Sequence, residues 1–311
     1  MRIAFLGSGA FGLPTLEALL ASGDHEVALV VSQPDRPAGR GLKDRPTPVA
    51  EVAIARGLPL RRPADVNRVE EVAAIDAARP DALVIVAFGQ KISPAVLGSR
   101  FAINLHGSLL PRWRGAAPIQ RAIEAGDAET GVCVISIAER MDAGVVYRSA
   151  ATPIDRLETA EELHDRLAAL GPSVVLPTLE EFRLGTLAPA AQDESLVTRA
   201  RKIGRGDTRV DPASMSAEAI RRKVHAFAPK PGCEVRIGAA RVKLLRVRDG
   251  SPASGSAGTL AEDGSIACAA GSLVPIEVQP AGGRPMRWEE FLRGARAAAG
   301  TPVEPMAGES S

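Results

Sequence analysis

The residues of this chain whose types and spacing could do chemistry concentrate in one stretch, Ile103 to Gln120, reading INLHGSLLPRWRGAAPIQ. Asn104 and His106 flank Leu105 at the end of an apolar run. In extended backbone, residues two apart point the same way, so an amide and an imidazole can converge on one point. Gly107 lets the chain turn. Ser108, Leu109, Leu110 and Pro111 follow, apolar with one hydroxyl and suited to lining a flat ligand. Arg112 and Arg114 then bracket Trp113, a grouping that can contact phosphate or stack on a base. A second element is Met141-Asp142-Ala143-Gly144. Read alone, Asp142 is a turn residue. If both turns leave strands of one sheet, Asp142 can approach His106. An amide, an imidazole and a carboxylate suit attack of a neutral amine on a carbonyl. The amide and a protonated imidazole can donate to the oxyanion of the tetrahedral intermediate. The carboxylate can hold the imidazolium and accept the amine proton. Ser108 lacks the strained G-x-S-x-G elbow of a nucleophilic serine.

The elements that would position these groups alternate. Apolar runs at 2–6, 27–32 and 82–87 are separated by helical patterns at about 13–22, 47–56 and 66–78. Continuous apolar strands between helices imply a mostly parallel, Rossmann-like α/β sheet with helices on both faces, and ligands bind beyond its strands' carboxyl ends. Residues 101–105 and 131–138 read as further strands. Two helices are expected at about 159–170 and 173–184, divided at Gly171-Pro172. Beyond them lie a helix at about 216–227 and short strand candidates at 233–237, 241–248, 257–261, 265–269 and 272–278, which suggest a small barrel or sandwich. A barrel of the oligonucleotide-binding (OB) kind is one option. The domain expectation is 1–189, a linker at 190–206, a second domain at 207–300 and a disordered tail at 301–311.

Composition narrows the class. The 311 residues are 45% hydrophobic and 24% charged, which suits a substantial core. No apolar run approaches a membrane span, and the N-terminus does not read as a signal peptide. The three cysteines show neither zinc-ligand nor disulfide spacing, so no metal is expected and a cytoplasmic, reduced protein is. Net charge is +1, unevenly spread: residues 1–194 hold 20 Lys/Arg and 25 Asp/Glu, whereas 199–248 hold 14 and 4. An acidic part joined to a basic part hints at a polyanionic partner.

Gly7, Gly9 and Gly12 spell G-x-G-x-x-G after the first apolar run, the outline of a dinucleotide-binding turn. The second strand, however, ends Val30-Val31-Ser32-Gln33-Pro34, without the acidic residue that would hold a ribose. The other readings are a tight turn whose glycines permit close packing and positive φ, or a helix start that contacts an anion.

Asn104-Leu-His106-Gly-Ser-Leu-Leu-Pro111, Arg114-Gly115-Ala-Ala-Pro118-Ile-Gln120, Thr130-Gly131-Val and Met141-Asp142-Ala-Gly144 together resemble the formyltransferases that use 10-formyltetrahydrofolate. The segment Gln33 to Gly41, Thr47-Pro-Val49, Gly126 to Thr130, Gln192-Asp-Glu194 and Gln279 to Gly283 extend the resemblance toward the methionyl-tRNA branch of that family, over about residues 1–295. The resemblance implies formyl transfer from the folate cosubstrate to the α-amino group of methionine on initiator methionyl-tRNA, for translation initiation, by an α/β domain followed by an OB-like, tRNA-binding barrel. It implies no membrane and no obligate protein partner. It assigns catalysis to Asn104, His106 and Asp142. Folate contact falls to Ser108, Leu109, Leu110, Pro111, Phe88 and Gly89, and tRNA contact to Arg36, Arg40, Lys43, Arg45, Arg112 and Arg114. His225 would add to a basic helix facing RNA. Two stretches depart from the family: its first turn, Gly-Thr-Pro-x-Phe-Ala, reads Gly7-Ser-Gly-Ala-Phe11-Gly12 here, and its Pro-Trp-Pro reads Pro229-Lys230-Pro231. Three other readings stay open: a formyltransferase acting on a small amine such as an amino sugar nucleotide or purine precursor, a nicotinamide oxidoreductase, and a non-catalytic RNA-binding protein.

Overall fold

The apolar runs become strands, and their order in space places the carboxyl ends where the polar motif begins. A computed structural model describes residues 1–38, 43–251 and 255–306. Its first sheet comprises β1 (Arg2–Gly7), β2 (Glu26–Val31), β3 (Leu60–Arg61), β4 (Ala82–Val86), β5 (Phe101–His106), β6 (Glu129–Ser136) and β7 (Val146–Pro153), in the order β7-β6-β5-β4-β1-β2-β3. The pairs β1/β2, β1/β4, β2/β3 and β4/β5 are parallel, and β6 runs antiparallel to β5. The chain order reverses between β1 and β4. This is the switch point at which an open α/β sheet offers a crevice. Ala4, Leu6, Leu29, Val31, Leu83 and Ile85 pack into one buried cluster along these strands.

The helix expected to break at Gly171-Pro172 does not break. Ala160–Leu184 is one helix with Pro172 and Pro177 inside it. Leu167, Val174, Val175 and Leu179 bury one continuous stripe. A Cβ at Gly171 would lie 2.5 Å from Thr15 Oγ1 and 2.8 Å from Leu105 Cδ2, so the glycine lets the helix approach both the helix Leu13–Ala21 and β5 closely. Burial of that stripe outweighs the local penalty of the prolines.

The second sheet is antiparallel: β8 (Cys233–Ile237), β9 (Ala240–Asp249), β10 (Ile266–Ala267), β11 (Ser272–Pro280), β12 (Met286–Arg287) and β13 (Val303–Pro305), in the order β10-β11-β9-β8-β13, with β12 on β11. Bridges from Thr259 to Pro302 and from Leu260 to Ile266 link its two ends. The result is a nearly closed barrel, consistent with an OB-like fold. β13 corrects the expectation of a disordered tail from residue 301. Val303 is buried and pairs with Ile237, because the sheet edge at β8 is otherwise unpartnered. The rest of that tail, 307–311, lies outside the described residues. The helix Ala217–Phe227 starts at Ser216, whose hydroxyl accepts from the Ala219 N–H at 3.2 Å, and buries Ile220, Val224 and Phe227.

The chain forms two compact units that do not divide linearly. One holds 1–115, 130–152 and 164–199; the other holds 116–129, 153–163 and 200–311. The helix Pro118–Ala125 belongs with the barrel because Arg121, buried on it, reaches Asp207 at 2.7 Å. The segment expected to be a free linker is likewise committed. Gln192, Glu194 and Thr198 all bond within the first unit.

Among the described residues no helix is long and apolar enough to cross a membrane. No group of three or more His, Cys, Asp or Glu among them could hold a metal ion.

Candidate active site

β5 lies between β4 and β6, and its last turn of pleat carries both polar residues. Leu105 pairs with Val86 and Val134, while Asn104 and His106 fall on the other face. His106 is 6% exposed. Its Nε2 lies 2.9 Å from the Trp113 carbonyl, and its Nδ1 lies 3.6 Å from Asp142 Oδ2. A carbonyl only accepts, so Nε2 is the donor in that contact and Nδ1 is the nitrogen turned toward the carboxylate. The 3.6 Å separation is ion-pair reach but too long for a direct hydrogen bond. Asn104 is half-buried, and among the described residues nothing hydrogen-bonds its amide.

Asp142 sits in a turn after β6, closed by the Ala143 N–H to the Arg140 carbonyl at 3.2 Å. Its φ is +54°, in the left-handed region, which Asp tolerates better than most residues but which still costs about 1–3 kcal/mol. Gly144 is required next to it, since a Cβ there would collide with the Ser136 carbonyl oxygen. Asp142 Oδ2 also accepts the Gly115 N–H at 2.9 Å. The two motifs that the sequence separates by 27 residues are therefore bonded to each other.

The loop after β5 is stiffened from inside. Ser108 is fully buried, and its hydroxyl donates to the Arg112 carbonyl at 2.6 Å. Its side chain thus closes the turn instead of lining a ligand surface. Leu109, Leu110 and Pro111 are half-buried, with Leu109 packed against Gly131. The Leu110 N–H donates to Cys133 Sγ at 3.4 Å, and burial pushes the Cys133 thiol up to about 11. At neutral pH that sulfur is a thiol, so it supplies no nucleophile.

Phe88 does not wall the crevice. It is 2% exposed and packs in the core cluster with Leu6, Val31 and Ile85. An aromatic ring there buries more apolar surface inward than it could over a ligand. What Phe88 presents is its carbonyl, which accepts from Ser8 Oγ at 3.2 Å and Gln33 Nε2 at 2.9 Å. Gly89 has φ +79° beside Gln33. The same neighbourhood explains the glycine turn. None of Gly7, Gly9 and Gly12 has positive φ. A Cβ on Gly7 would lie 2.6 Å from Phe5 Cε1, and one on Gly12 3.2 Å from Phe5 Cζ. Two of these glycines are there for close packing, not for a backbone twist. Where a dinucleotide fold needs a carboxylate, Ser32 bonds Thr47 Oγ1 at 2.5 Å and Gln33 donates its N–H to Ser8 Oγ at 3.1 Å.

The candidate cations divide. Arg36–Ala38 pairs antiparallel with Lys43–Arg45 and places Arg36 opposite Arg45, both exposed; Arg40 lies outside the described residues. Arg112 is exposed, its guanidinium 4.6 Å over the Trp113 ring. Arg114 differs from the expectation. It is 5% exposed, with Nε donating to Gln192 Oε1 at 2.9 Å and a terminal nitrogen to Glu194 Oε1 at 2.8 Å. A buried guanidinium needs such partners, and having them it is not offered to RNA. His225, expected on an RNA-facing surface, is 1% exposed inside the second unit. Gln192, Glu194 and Thr198 were missed as site residues. The signal for the first two was Gln192-Asp-Glu194, which the resemblance includes but to which no role was given.

With this geometry in view, the comparisons with known proteins are specific. Residues 1–179 match the family model described as formyl transferase, and residues 202–296 match the formyl transferase C-terminal domain. The chain belongs to the formyl transferase family. Its relatives include proteins named methionyl-tRNA formyltransferase. The one from Ruegeria pomeroyi is 44% identical over 299 residues, covering 94% of this chain and 97% of the relative. That from Methylococcus capsulatus is 43% identical over 306 residues, covering 96% and 98%. Among solved structures, an N-formyltransferase from Helicobacter canadensis in complex with folinic acid and dTDP-3-aminofucose matches with a TM-score of 0.67 at 14% identity, over 88% of this formyl transferase and 98% of that chain. HypX from Aquifex aeolicus in complex with tetrahydrofolic acid matches with a TM-score of 0.64 at 20% identity, over 94% of this chain and 47% of that one. At those identities the likeness is one of fold.

Proposed function

We propose that this chain transfers the formyl group of 10-formyltetrahydrofolate to the α-amino group of methionine on initiator methionyl-tRNA, in the cytoplasm, for translation initiation. The observation that carries the reading is the 3.6 Å approach of His106 Nδ1 to Asp142 Oδ2, with an Asn104 amide on the same strand face that has no hydrogen-bond partner among the described residues. Near-complete alignment with proteins named for this activity supports the choice of substrate. The cosubstrate supplies a formyl carbon already bound to nitrogen. Asn104 donates its amide to the formyl oxygen as negative charge builds there. His106 is held by the Trp113 carbonyl and turns Nδ1 toward Asp142. The pair takes up the proton released by the attacking amine, with Asp142 accepting directly or through water. As the tetrahedral intermediate collapses, the bond from the formyl carbon to N10 of the folate breaks and N10 takes a proton, leaving tetrahydrofolate.

The folate lies along Leu109–Pro111 and the backbone of Phe88–Gly89, over the carboxyl ends of β4 and β5. Arg36, Arg40, Lys43, Arg45 and Arg112 meet the phosphates of the acceptor end, and the basic stretch 199–248 adds to the attraction. The first unit carries the chemistry and the cations just named, and the second adds to the hold on tRNA. Binding of this sort weakens steeply with salt.

The test is one assay. The protein is mixed with 10-formyltetrahydrofolate and either initiator or elongator tRNA charged with methionine, and acid-stable formylmethionine is measured. Formylation of the initiator is expected. Its absence, or equal formylation of a free amino sugar nucleotide, overturns the assignment.

A further inference from the structure

We propose that Gln192 is a positioning residue for the reaction, acting through Asp142, and that Arg114 is its partner in this role. The inference rests on the role given to Asp142 above. Gln192 Nε2 donates to two backbone carbonyls of the Asp142 turn, Asp142 at 2.8 Å and Gly144 at 2.7 Å. Its Oε1 accepts from Arg114 Nε at 2.9 Å. The partners dictate the orientation of the amide. Both carbonyls only accept and the guanidinium only donates, so a flipped amide would oppose like to like at every contact.

Arg114 is held in turn. Its terminal nitrogen donates to Glu194, whose other oxygen lies 3.2 Å from Arg140 at the head of the same turn. The residue after Arg114 is Gly115, which donates its N–H to the Asp142 carboxylate. Asp142 is thus gripped twice, at its backbone carbonyl by Gln192 and at its side chain by Gly115, and both grips lead to Arg114–Gly115. Fixing the carbonyl of a residue fixes its ψ. In a residue already in left-handed backbone, this decides where the side chain points. Without Gln192 the 142 peptide keeps the Ala143 N–H bond to the Arg140 carbonyl at 3.2 Å but loses the hold on its carbonyl side, so it can turn toward the broader allowed regions and carry the carboxylate away from His106. Neither Gln192 nor Arg114 is asked to touch a reacting atom.

The experiment uses the full chain with Gln192→Ala and Gln192→Glu, each alone and the first also combined with Asp142→Ala. Glutamate keeps the size and the acceptor for Arg114 but replaces the donor with an oxygen facing two carbonyls, so it is expected to behave like alanine. Both single variants should lower kcat of methionyl-tRNA formylation about tenfold or more, as small misplacements of reacting groups do, with KM for both substrates held within about twofold. In the Asp142→Ala background, Gln192→Ala should change kcat by less than about twofold, since residues acting as one unit are not additive. A crystal structure of Gln192→Ala should show the carboxylate displaced from the ring.

A raised KM with kcat intact would make Gln192 a substrate contact and overturn the proposal. So would equal losses in both backgrounds, wild-type kcat in Gln192→Glu, or an unmoved carboxylate in the crystal structure. Asp142→Ala alone reports on the underlying reading. Near-normal activity there sinks the catalytic role of Asp142, a result separate from any given by Gln192.

Discussion

The two units each contain a buried histidine and an aspartate, buried in the second and half-buried in the first, and they treat them oppositely. In the barrel unit every polar atom of the pair is spent. His225 Nδ1 meets the Arg156 carbonyl at 3.1 Å, and its Nε2 accepts the Val247 N–H at 3.2 Å. Asp207 accepts from Arg121 at 2.7 Å, from the Gly204 N–H at 2.8 Å and from Arg201. The Arg121 guanidinium, bonded to it, holds the Asp207 carboxyl well below the usual carboxylate range. In the first unit His106 faces its aspartate across 3.6 Å, Asp142 holds one backbone N–H, and the Asn104 amide holds nothing among the described residues. Saturated polar groups fix structure. Groups left short of partners on the face of a sheet are available to a substrate.

The hardest way to break this contrast is at the saturated end. Arg121→Ala leaves Asp207 buried among fewer donors. Removing one member of a buried pair costs about 3–5 kcal/mol, and urea unfolding should read a loss of that order. The specific activity of the molecules that remain folded should stay within a few-fold of the parent, because Arg121 bonds only within the barrel unit and no reacting group depends on it. If the variant unfolds at the parent's denaturant midpoint, Arg121 and Asp207 are not the anchor described.

The unsaturated end should respond in the reverse sense. Asn104→Ala, His106→Ala and Asp142→Ala should each lower turnover about 100–1000-fold, the loss typical of a preorganised donor or proton acceptor, with thermal midpoints close to the parent. Activity within a few-fold of wild type in any one of them removes that residue from the mechanism.

How much of this was legible in the sequence depended on range. Asn104 and His106 could be placed on one face from the two-residue period of a strand, and Asp142 could be aimed at them because both turns leave strands of one sheet. That β6 runs antiparallel to β5, so that the Asp142 turn has to fold back to reach His106, was not legible. What the period cannot carry is which side a long side chain turns. Phe88 and Ser108 turned inward because an aromatic ring gains more from the core and a hydroxyl closes a turn. Arg114 was read as a surface cation because its partners, Gln192 and Glu194, lie about eighty residues on, in a stretch with no periodicity to fix it. The single helix 160–184 and the strand Val303–Pro305 escaped for the same reason. Each is settled by a tertiary surface that covers it, against the local signal of Pro172 or of a Gly- and Pro-containing tail.

The smallest effect, and the one that sharpens the contrast most, is the pH dependence of His225. Burial, with help from the nearby Arg221 and Arg246 cations, pushes its imidazole down to about 4 from an ordinary 6.5. The folded chain therefore keeps this ring neutral where the unfolded chain protonates it. The stability it contributes is complete above about pH 6.5 and is lost as pH falls from there toward about 4, reaching about 3 kcal/mol at the lower end. His225→Gln has no such proton to bind. The difference in unfolding free energy between parent and variant, followed by urea titration from pH 7.5 to pH 4.5, should shift steadily in the variant's favour on acidification. Carboxylates elsewhere titrate in both proteins and cancel in the difference. A flat difference over that range would mean that the ring is not sealed between the Arg156 carbonyl and the Val247 amide, and the second unit would then hold an imidazole as available as the one in the first.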